Sequence, residues 1–175
     1  MYKRQLQNFE EKKAKEQEVT NQKIINENLE SLTDSSNGLF DGNINSKKIV
    51  VKFFDFNCSY CKKAHNDIQK LLKKEDVKVI YKNFPILSEN SVFLAKLGIF
   101  IAEKDIDSFN SFYKMINENK GRVSKEKLSE ITKKLGVNLD ELNNEQVNSR
   151  LEKKLKEDVD LANKLGLRGT PAFVV

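Results

Sequence analysis

The stretch that most constrains the fold covers residues 49–81. It begins with the β-branched and aromatic run IVVKFF, which has the length and composition of a strand, and it ends with a second such run, VKVIY. Between the two runs, apolar residues recur at helical spacing, at positions 61, 64, 68, 71 and 72. A strand, a helix and a strand of these lengths predict a βαβ unit, with a parallel strand pair and a right-handed crossover.

Both cysteines of the chain lie where the first strand meets the helix. Cys58 and Cys61 are three residues apart, so in a helical turn they can close and reopen a disulfide with little backbone motion. Cys58 would lie at the helix N-terminus, where free N–H groups and the helix dipole stabilise a thiolate. Cys61 would be more buried and act as the resolving thiol. This pattern predicts thiol-disulfide exchange through a mixed disulfide.

A metal site is the main alternative for the same residues. Cys58, Cys61 and His65 offer three ligands, whereas a closed structural zinc site needs four. The sequence has no other Cys or His, so only a carboxylate such as Asp55 could complete the set. We therefore expect no metal. His65 is expected to be partly exposed on the helix, where it could tune the local charge.

A proline at the start of the last strand-like run is the second feature of interest. Pro171 follows Thr170 in the run GTPAFVV, and a proline is ordinary at the first position of a strand. Beside a Cys-x-x-Cys motif it suggests a cis-proline, because the missing N–H leaves neighbouring backbone free to pair with a substrate peptide.

The remaining segments read as helices and a connector. Residues 1–36 form a polar, helix-favouring extension, which is either a solvated leader or a stalk that self-associates. Residues 33–48 are rich in turn residues and predict a connector. Residues 88–165 predict a largely helical region: Ser88 caps a first helix, and three further helices end near Gly121, Gly136 and Gly166.

Charge and hydropathy exclude two classes of function. The 31 basic and 26 acidic residues are spread along the chain without a basic block that contains aromatics, so nucleic-acid binding is not expected. No apolar run approaches the roughly 18 residues of a membrane span. The first residues also lack the apolar middle of a secretory signal.

Three motifs together resemble one protein family. FFDFNCSYC, NFPIL and LGLRGTPAF are similar to the corresponding motifs of DsbA-family thiol-disulfide oxidoreductases of the thioredoxin superfamily. The resemblance implies an α/β, thioredoxin-like fold over residues 37–175. A helical insertion, about 88–165, lies between the βαβ half and the cis-proline strand. The family continues with another strand and a helix, so we expect a C-terminal truncation that leaves a sheet edge unpaired.

The resemblance also implies roles for residues of the motif. Cys58 is the attacking cysteine, Cys61 is its buried partner, and Ser59 and Tyr60 are the dipeptide that tunes the redox potential. The redox-active Cys58–Cys61 disulfide is then the reactive group, and no other cofactor is implied.

Three further positions carry weaker implications. Pro171 is similar to the family's cis-proline, and Thr170 would face the disulfide and contact substrate. Lys52 stands where thioredoxin-like folds usually have an acid. Lys52 either points at the site, where its cation would favour a thiolate, or extends outward to solvent.

Several functions use this same site. The leading hypothesis is an oxidase of exported proteins that is reoxidised by a membrane-bound partner, in the periplasm or another exported location, with a signal or anchor not present in this chain. A cytoplasmic location stays open. An isomerase or reductase that assembles into a homo-oligomer through the N-terminal helix would use the same cysteines. The alternative of another class is a thioredoxin-like module that binds a metal or a peptide without turnover.

Overall fold

The computed structural model describes residues 2–175, with side chains described from residue 6 onward. The helices are α1 (Tyr2–Glu27), α2 (Leu29–Thr33), α3 (Ser59–Lys74), α4 (Glu89–Lys104), α5 (Ile106–Glu118), α6 (Lys125–Lys134) and α7 (Glu145–Lys164). The strands are β1 (Phe40–Gly42), β2 (Ile49–Phe54), β3 (Lys78–Asn83) and β4 (Ala172–Val174), and a short 3-10 helix covers Leu139–Asn143.

The four strands form one mixed sheet in the order β1-β3-β2-β4. Strands β2 and β3 are parallel and joined by α3, so the predicted βαβ unit is confirmed. Strand β4 runs antiparallel to β2, with Val51 opposite Val174 and Phe53 opposite Ala172. The α/β thioredoxin-like fold class is confirmed by this sheet and its helices.

Strand β1 lies in the segment that the sequence predicted to be only a connector. It pairs antiparallel with β3, with Phe40 opposite Ile80. The chain turns at the last residue of β1, Gly42, which has a φ of +87°, and Asn43 donates a backbone hydrogen bond to the Val77 carbonyl (3.1 Å). A strand of three residues is too short to show the alternating pattern of a strand in its sequence. Pairing with β3, and not the local sequence, therefore makes this segment a strand.

The sheet is buried on both faces. Val51 and Phe53 of β2 belong to one apolar cluster, together with Leu161 of α7. Phe54 of β2 belongs to the larger cluster on the opposite face, together with Ile68 of α3. Because side chains alternate along a strand, Lys52 shares a face with Phe54.

The predicted helical region is confirmed, and its helices begin where capping side chains accept backbone hydrogen bonds. Ser88 accepts from the N–H of Ser91, and Ser124 accepts from that of Lys127. The other two caps are Asp105 and Asn144. Helix α4 is buried on most sides, as its nearly continuous apolar sequence predicts.

The N-terminal extension is helical over Tyr2–Glu27 and Leu29–Thr33, and among its described side chains those near its C-terminal end pack on the domain. Leu32 of α2 is 1% exposed and lies in the cluster of Val51, whereas Leu6, Phe9 and Val19 of α1 are 48%, 66% and 70% exposed. None of the described helices has the length and apolar character to cross a membrane. The division between extension and domain at residue 36, and the C-terminal truncation, stay predictions.

The turn after β1 can be tested with one substitution. A Cβ at Gly42 would overlap the Val77 carbonyl oxygen and lie 2.7 Å from Cδ2 of Leu72. We expect Gly42→Ala to lower the free energy of unfolding by about 1–2 kcal/mol for the left-handed backbone and by about 1–3 kcal/mol more for overpacking. Urea denaturation measures the loss.

Gly136→Ala is the matched control. Gly136 also has a positive φ, of +66°, but nothing lies within 4 Å of its added Cβ. This variant should show the backbone cost alone. Equal losses in the two variants would show that the β1 turn does not approach Val77 as described.

Candidate redox-active site

Cys58 is the N-cap residue of α3. After β2 ends, the chain folds back so that the Cys58 N–H donates to the Asp55 carbonyl (3.0 Å). The Cys58 sulfur then accepts a hydrogen bond from the N–H of Cys61 at 3.3 Å. The sulfur therefore lies at the N-terminus of α3, where a backbone donor and the positive end of the helix dipole face it.

Cys61 lies one turn further into α3 and is the more buried of the two. Its exposed fraction is 0%, against 6% for Cys58, and both are free thiols in this structure. Burial raises the pKa of the Cys61 thiol to about 12, and the neighbouring Cys58 also raises it. At neutral pH Cys61 is therefore a thiol, and Cys58 is the sulfur that other molecules can reach.

Thr170 and Pro171 complete the site from the far end of the chain. The peptide bond between them is cis. The Cys58 thiol donates a hydrogen bond to the Thr170 carbonyl oxygen at 3.2 Å, across a sequence separation of 112 residues. The antiparallel pairing of β4 with β2 is what brings this carbonyl to the cysteines.

Asp55 holds the cysteine loop in place, a role that the sequence did not suggest. Its side chain is buried, with one carboxylate oxygen accepting from the Asn57 N–H (2.8 Å) and the other from the Leu87 N–H (3.0 Å). Asn57 also bonds through its side chain to Ser91 of α4 at 2.9 Å. Asp55 thus joins the loop before Cys58 to the segment after β3.

The Asp55 contacts also bear on metal binding. The carboxylate that could have completed a metal site is engaged by two backbone donors. Within the described residues, no group of three or more His, Cys, Asp or Glu side chains could hold a metal ion.

Lys52 lies directly beneath the cysteine pair, and the expectation that it could extend outward is wrong. Its side chain is fully buried, and its Nζ donates to the Cys61 carbonyl oxygen (3.2 Å) and to the Tyr113 hydroxyl (3.0 Å). Burial lowers the pKa of Lys52 to about 8, although the nearby Cys61 and Cys58 oppose this shift.

His65 is buried as well, so the expectation of partial exposure is wrong. It is 2% exposed, and its ring meets that of Tyr113 edge-on, with centroids 5.6 Å apart. Burial lowers the pKa of His65, and the charge of Lys52 lowers it further. A neutral imidazole behind the site is the result.

Ser59 and Tyr60 occupy the first turn of α3 on the solvent side. Tyr60 is 68% exposed, and the ammonium of Lys63 lies 5.4 Å from its ring centroid. The dipeptide therefore lies on the outer surface beside Cys58, opposite to the buried side on which Lys52 lies.

The whole of this site lies within a recognised family domain. Residues 49–175 match the family model of the DSBA-like thioredoxin domain. The chain belongs to the DSBA-like thioredoxin domain family. Proteins of this DsbA-like family are thiol-disulfide oxidoreductases, so the family expected from the sequence motifs is confirmed.

Individual relatives agree with this assignment. A Bacillus cereus protein named probable disulfide bond formation protein D is 29% identical over 138 residues, which cover 72% of this chain and 64% of that protein. The namesake from Bacillus anthracis is 28% identical with the same coverage. The DsbA-like chain therefore spans less than two thirds of the length of these curated relatives.

Two solved structures share the fold. The thiol-disulfide exchange protein alpha-DsbA2 from Wolbachia pipientis has a TM-score of 0.80 and 27% identity, covering 90% of this chain and 86% of that one. A thioredoxin-like oxidoreductase from Silicibacter pomeroyi DSS-3 has a TM-score of 0.73 and 28% identity, covering 83% of each chain.

The fold of the DsbA-like domain gathers most of the site residues expected from the sequence. It brings Lys52, Cys61 and Thr170 together around Cys58, and it leaves Ser59 and Tyr60 at the rim. The sequence did not indicate Tyr113 as a residue of the site, because nothing in its local pattern shows that its hydroxyl meets a buried lysine.

Alkylation can separate the two thiols. In Cys61→Ser, we expect iodoacetamide at pH 7 to modify Cys58 at least about tenfold faster than it modifies Cys61 in Cys58→Ser, because burial and a raised pKa keep Cys61 protonated. Mass spectrometry over time measures both rates. In guanidinium chloride the two rates should converge, and a native Cys61 that reacts as fast as Cys58 would contradict this assignment.

The loop contacts of Asp55 can be tested by stability. Asp55→Ala leaves two backbone donors without their acceptor, and we expect a loss of about 2–4 kcal/mol in the free energy of unfolding. Asp55→Asn keeps one carbonyl acceptor and should lose less. Asp67→Ala is the control, because Asp67 forms only an exposed ion pair with Lys70 and its removal should cost under about 1 kcal/mol. Equal losses at Asp55 and Asp67 would refute the role of Asp55.

Proposed function

We propose that this chain is a thiol-disulfide oxidoreductase that donates the Cys58–Cys61 disulfide to cysteines of exported proteins. The observation that carries the proposal is the asymmetry of the pair. The Cys58 sulfur lies at the N-terminus of α3 beside a backbone donor, whereas Cys61 is fully buried. A substrate thiolate can therefore attack Cys58, whereas Cys61 leaves when the disulfide opens and attacks Cys58 again when it closes.

The reaction transfers two electrons from the substrate to the pair. A substrate thiolate attacks the Cys58 sulfur, the Cys58–Cys61 bond breaks, and Cys61 leaves as a thiolate. A second substrate thiolate then attacks the substrate sulfur of the mixed disulfide, and Cys58 leaves. The substrate gains a disulfide, and the chain retains two reduced sulfurs.

The substrate chain is proposed to lie between the two edges of the site. Thr170 offers its carbonyl on one side, where it now contacts the Cys58 thiol. Tyr60 offers an exposed aromatic ring on the other side, next to Ser59. An extended peptide that pairs with the backbone near Pro171 would present its cysteine to Cys58.

The direction and the location follow from the relatives by analogy. The Bacillus proteins are named for disulfide bond formation, which supports the oxidising direction. We propose that the chain acts in an exported compartment such as the periplasm, and that a membrane-bound redox partner reoxidises Cys58 and Cys61. The pair itself is the redox group.

An oligomeric isomerase or reductase is the second candidate, and the surface of α1 favours it. Leu6, Phe9 and Val19 expose apolar surface on a helix whose other exposed side chains are mostly polar. Assembly through α1 would bring several redox sites together, and analytical ultracentrifugation at micromolar concentrations distinguishes a monomer from such an assembly.

A glutathione titration combined with a trapping variant tests the proposed function. We expect the wild-type pair to form a reversible disulfide with an oxidising midpoint. Cys61→Ser should attack a disulfide-bonded peptide through Cys58, release one peptide thiol and retain the mixed disulfide, because Cys61 is absent and cannot resolve it. Cys58→Ser should trap none. A midpoint near that of a reductase supports the second candidate, and the absence of a reversible disulfide supports a non-catalytic binding module instead.

A further inference from the structure

Lys52 is a buried cation that lacks a carboxylate partner. Its Nζ bonds only to neutral oxygens, those of the Cys61 carbonyl and the Tyr113 hydroxyl. Among the side chains that the structure describes, from residue 6 onward, no carboxylate lies within 4.0 Å of this ammonium. Burial of an unpaired charge is costly, so a lysine in this place requires another source of compensation.

The second buried lysine on the sheet provides a comparison. Lys82 lies on β3, and its Nζ is 3.7 Å from a carboxylate oxygen of Asp158, whose side chain is also buried. Lys82 also donates to the Asp34 carbonyl (3.2 Å). Of the two buried lysines, Lys82 is paired with a carboxylate and Lys52 is not, and Lys52 is the one that lies beside the two thiols.

Among the titratable groups around Lys52, only the two cysteine sulfurs can carry a negative charge when the disulfide opens. Burial raises the pKa values of Tyr81 and Tyr113 well above their usual range, so neither becomes a phenolate near neutral pH. Burial lowers the pKa of His65, which is therefore neutral. The titratable groups that face Lys52 are Cys58, Cys61 and His65 from α3, Tyr81 from β3 and Tyr113 from α5.

The two cysteines act on Lys52 in the expected direction. Cys61 first and Cys58 second raise the pKa of Lys52 against the effect of burial. With a pKa of about 8, Lys52 is mainly an ammonium at pH 7. The charge is therefore present when the disulfide opens.

We propose that Lys52 is the counter-charge for the thiolate that the pair acquires when its disulfide opens, first on Cys61, and that it thereby drives the pair to donate its disulfide. The inference rests on the proposed function. When a substrate thiolate attacks Cys58, the electron pair of the broken S–S bond moves to Cys61. The ammonium of Lys52 stabilises that negative charge without transferring its proton.

The same geometry sets the direction of exchange. In the disulfide form neither sulfur is charged, so the Lys52 ammonium is uncompensated. When a substrate opens the disulfide, the thiolate that forms compensates it. The charge therefore favours the opened pair over the disulfide to the extent that one of the two sulfurs is a thiolate, which makes the pair more oxidising. Lys52 does not contact the substrate. It acts indirectly, because its ammonium stabilises negative charge on the sulfurs.

Removal of the charge should shift the redox equilibrium. We expect Lys52→Met and Lys52→Gln each to favour the disulfide by about tenfold in a glutathione titration at pH 6, where wild-type Lys52 is charged in more of the molecules than at pH 7, and tenfold corresponds to about 30 mV. The glutamine variant retains a hydrogen-bond donor, so a shift in both variants isolates the charge. Lys70→Met removes an exposed cation from α3 and should leave the equilibrium constant unchanged.

The pH dependence has a defined sign. Lys52 binds its proton more tightly when a thiolate is present, so its pKa is higher in the reduced form. The difference between wild type and Lys52→Met should be largest at the low-pH end, at pH 6. It should shrink as the pH rises through the interval between the Lys52 pKa values of the two redox forms, and the value of about 8 marks the upper end of that interval because it belongs to the form with free thiols. Titrations from pH 6 to pH 10 measure this convergence.

A measurement on the wild type keeps the test decisive if a variant fails to fold. NMR titration of the Lys52 side chain in the oxidised and reduced forms should give a pKa at least one unit higher in the reduced form. Equal pKa values, or variants that match the wild-type equilibrium constant at every pH, overturn the role of Lys52. If the wild type forms no reversible disulfide with glutathione, the proposed function itself fails, which is a different outcome.

Discussion

The central place of β2 in the sheet is the constraint on which the site depends. This strand pairs with β3 on one side and with β4 on the other, and at Lys52 both partners, Tyr81 and Phe173, are in register. The strand therefore cannot shift without breaking two sets of backbone hydrogen bonds. Its carboxyl end carries the turn that presents Cys58, and its antiparallel partner carries Thr170. One strand thus fixes both sides of the sulfur.

The local pattern of the sequence predicted what short-range chemistry determines. Strand composition, helical spacing and capping serines gave the βαβ unit and the beginning of α4 at Ser88. Position in the motif also gave the order of burial of Cys58 and Cys61. These features depend on neighbours within one or two turns, which a sequence displays directly.

Long-range contacts determined what the sequence could not predict. Alternation along β2 places Lys52 on the face of Phe54, but exposure depends on whether helices cover that face, and α3 and α5 do. From sequence Asp55 looks like a free carboxylate, but in the fold it accepts a hydrogen bond from Leu87, which lies in the segment after β3. From sequence His65 looks like a polar residue on a helix surface, but in the fold Tyr113 covers its ring. In each case the partner is distant in sequence, so no local pattern identifies it.

The hydrogen bond between Cys58 and Thr170 has a further consequence. The carbonyl oxygen accepts a proton from a thiol, but a thiolate or a disulfide sulfur has none to give. The contact can therefore form in only one chemical form of Cys58. The protonated thiol occupies the Thr170 carbonyl, whereas a disulfide or a thiolate leaves that carbonyl free to accept a hydrogen bond from another backbone.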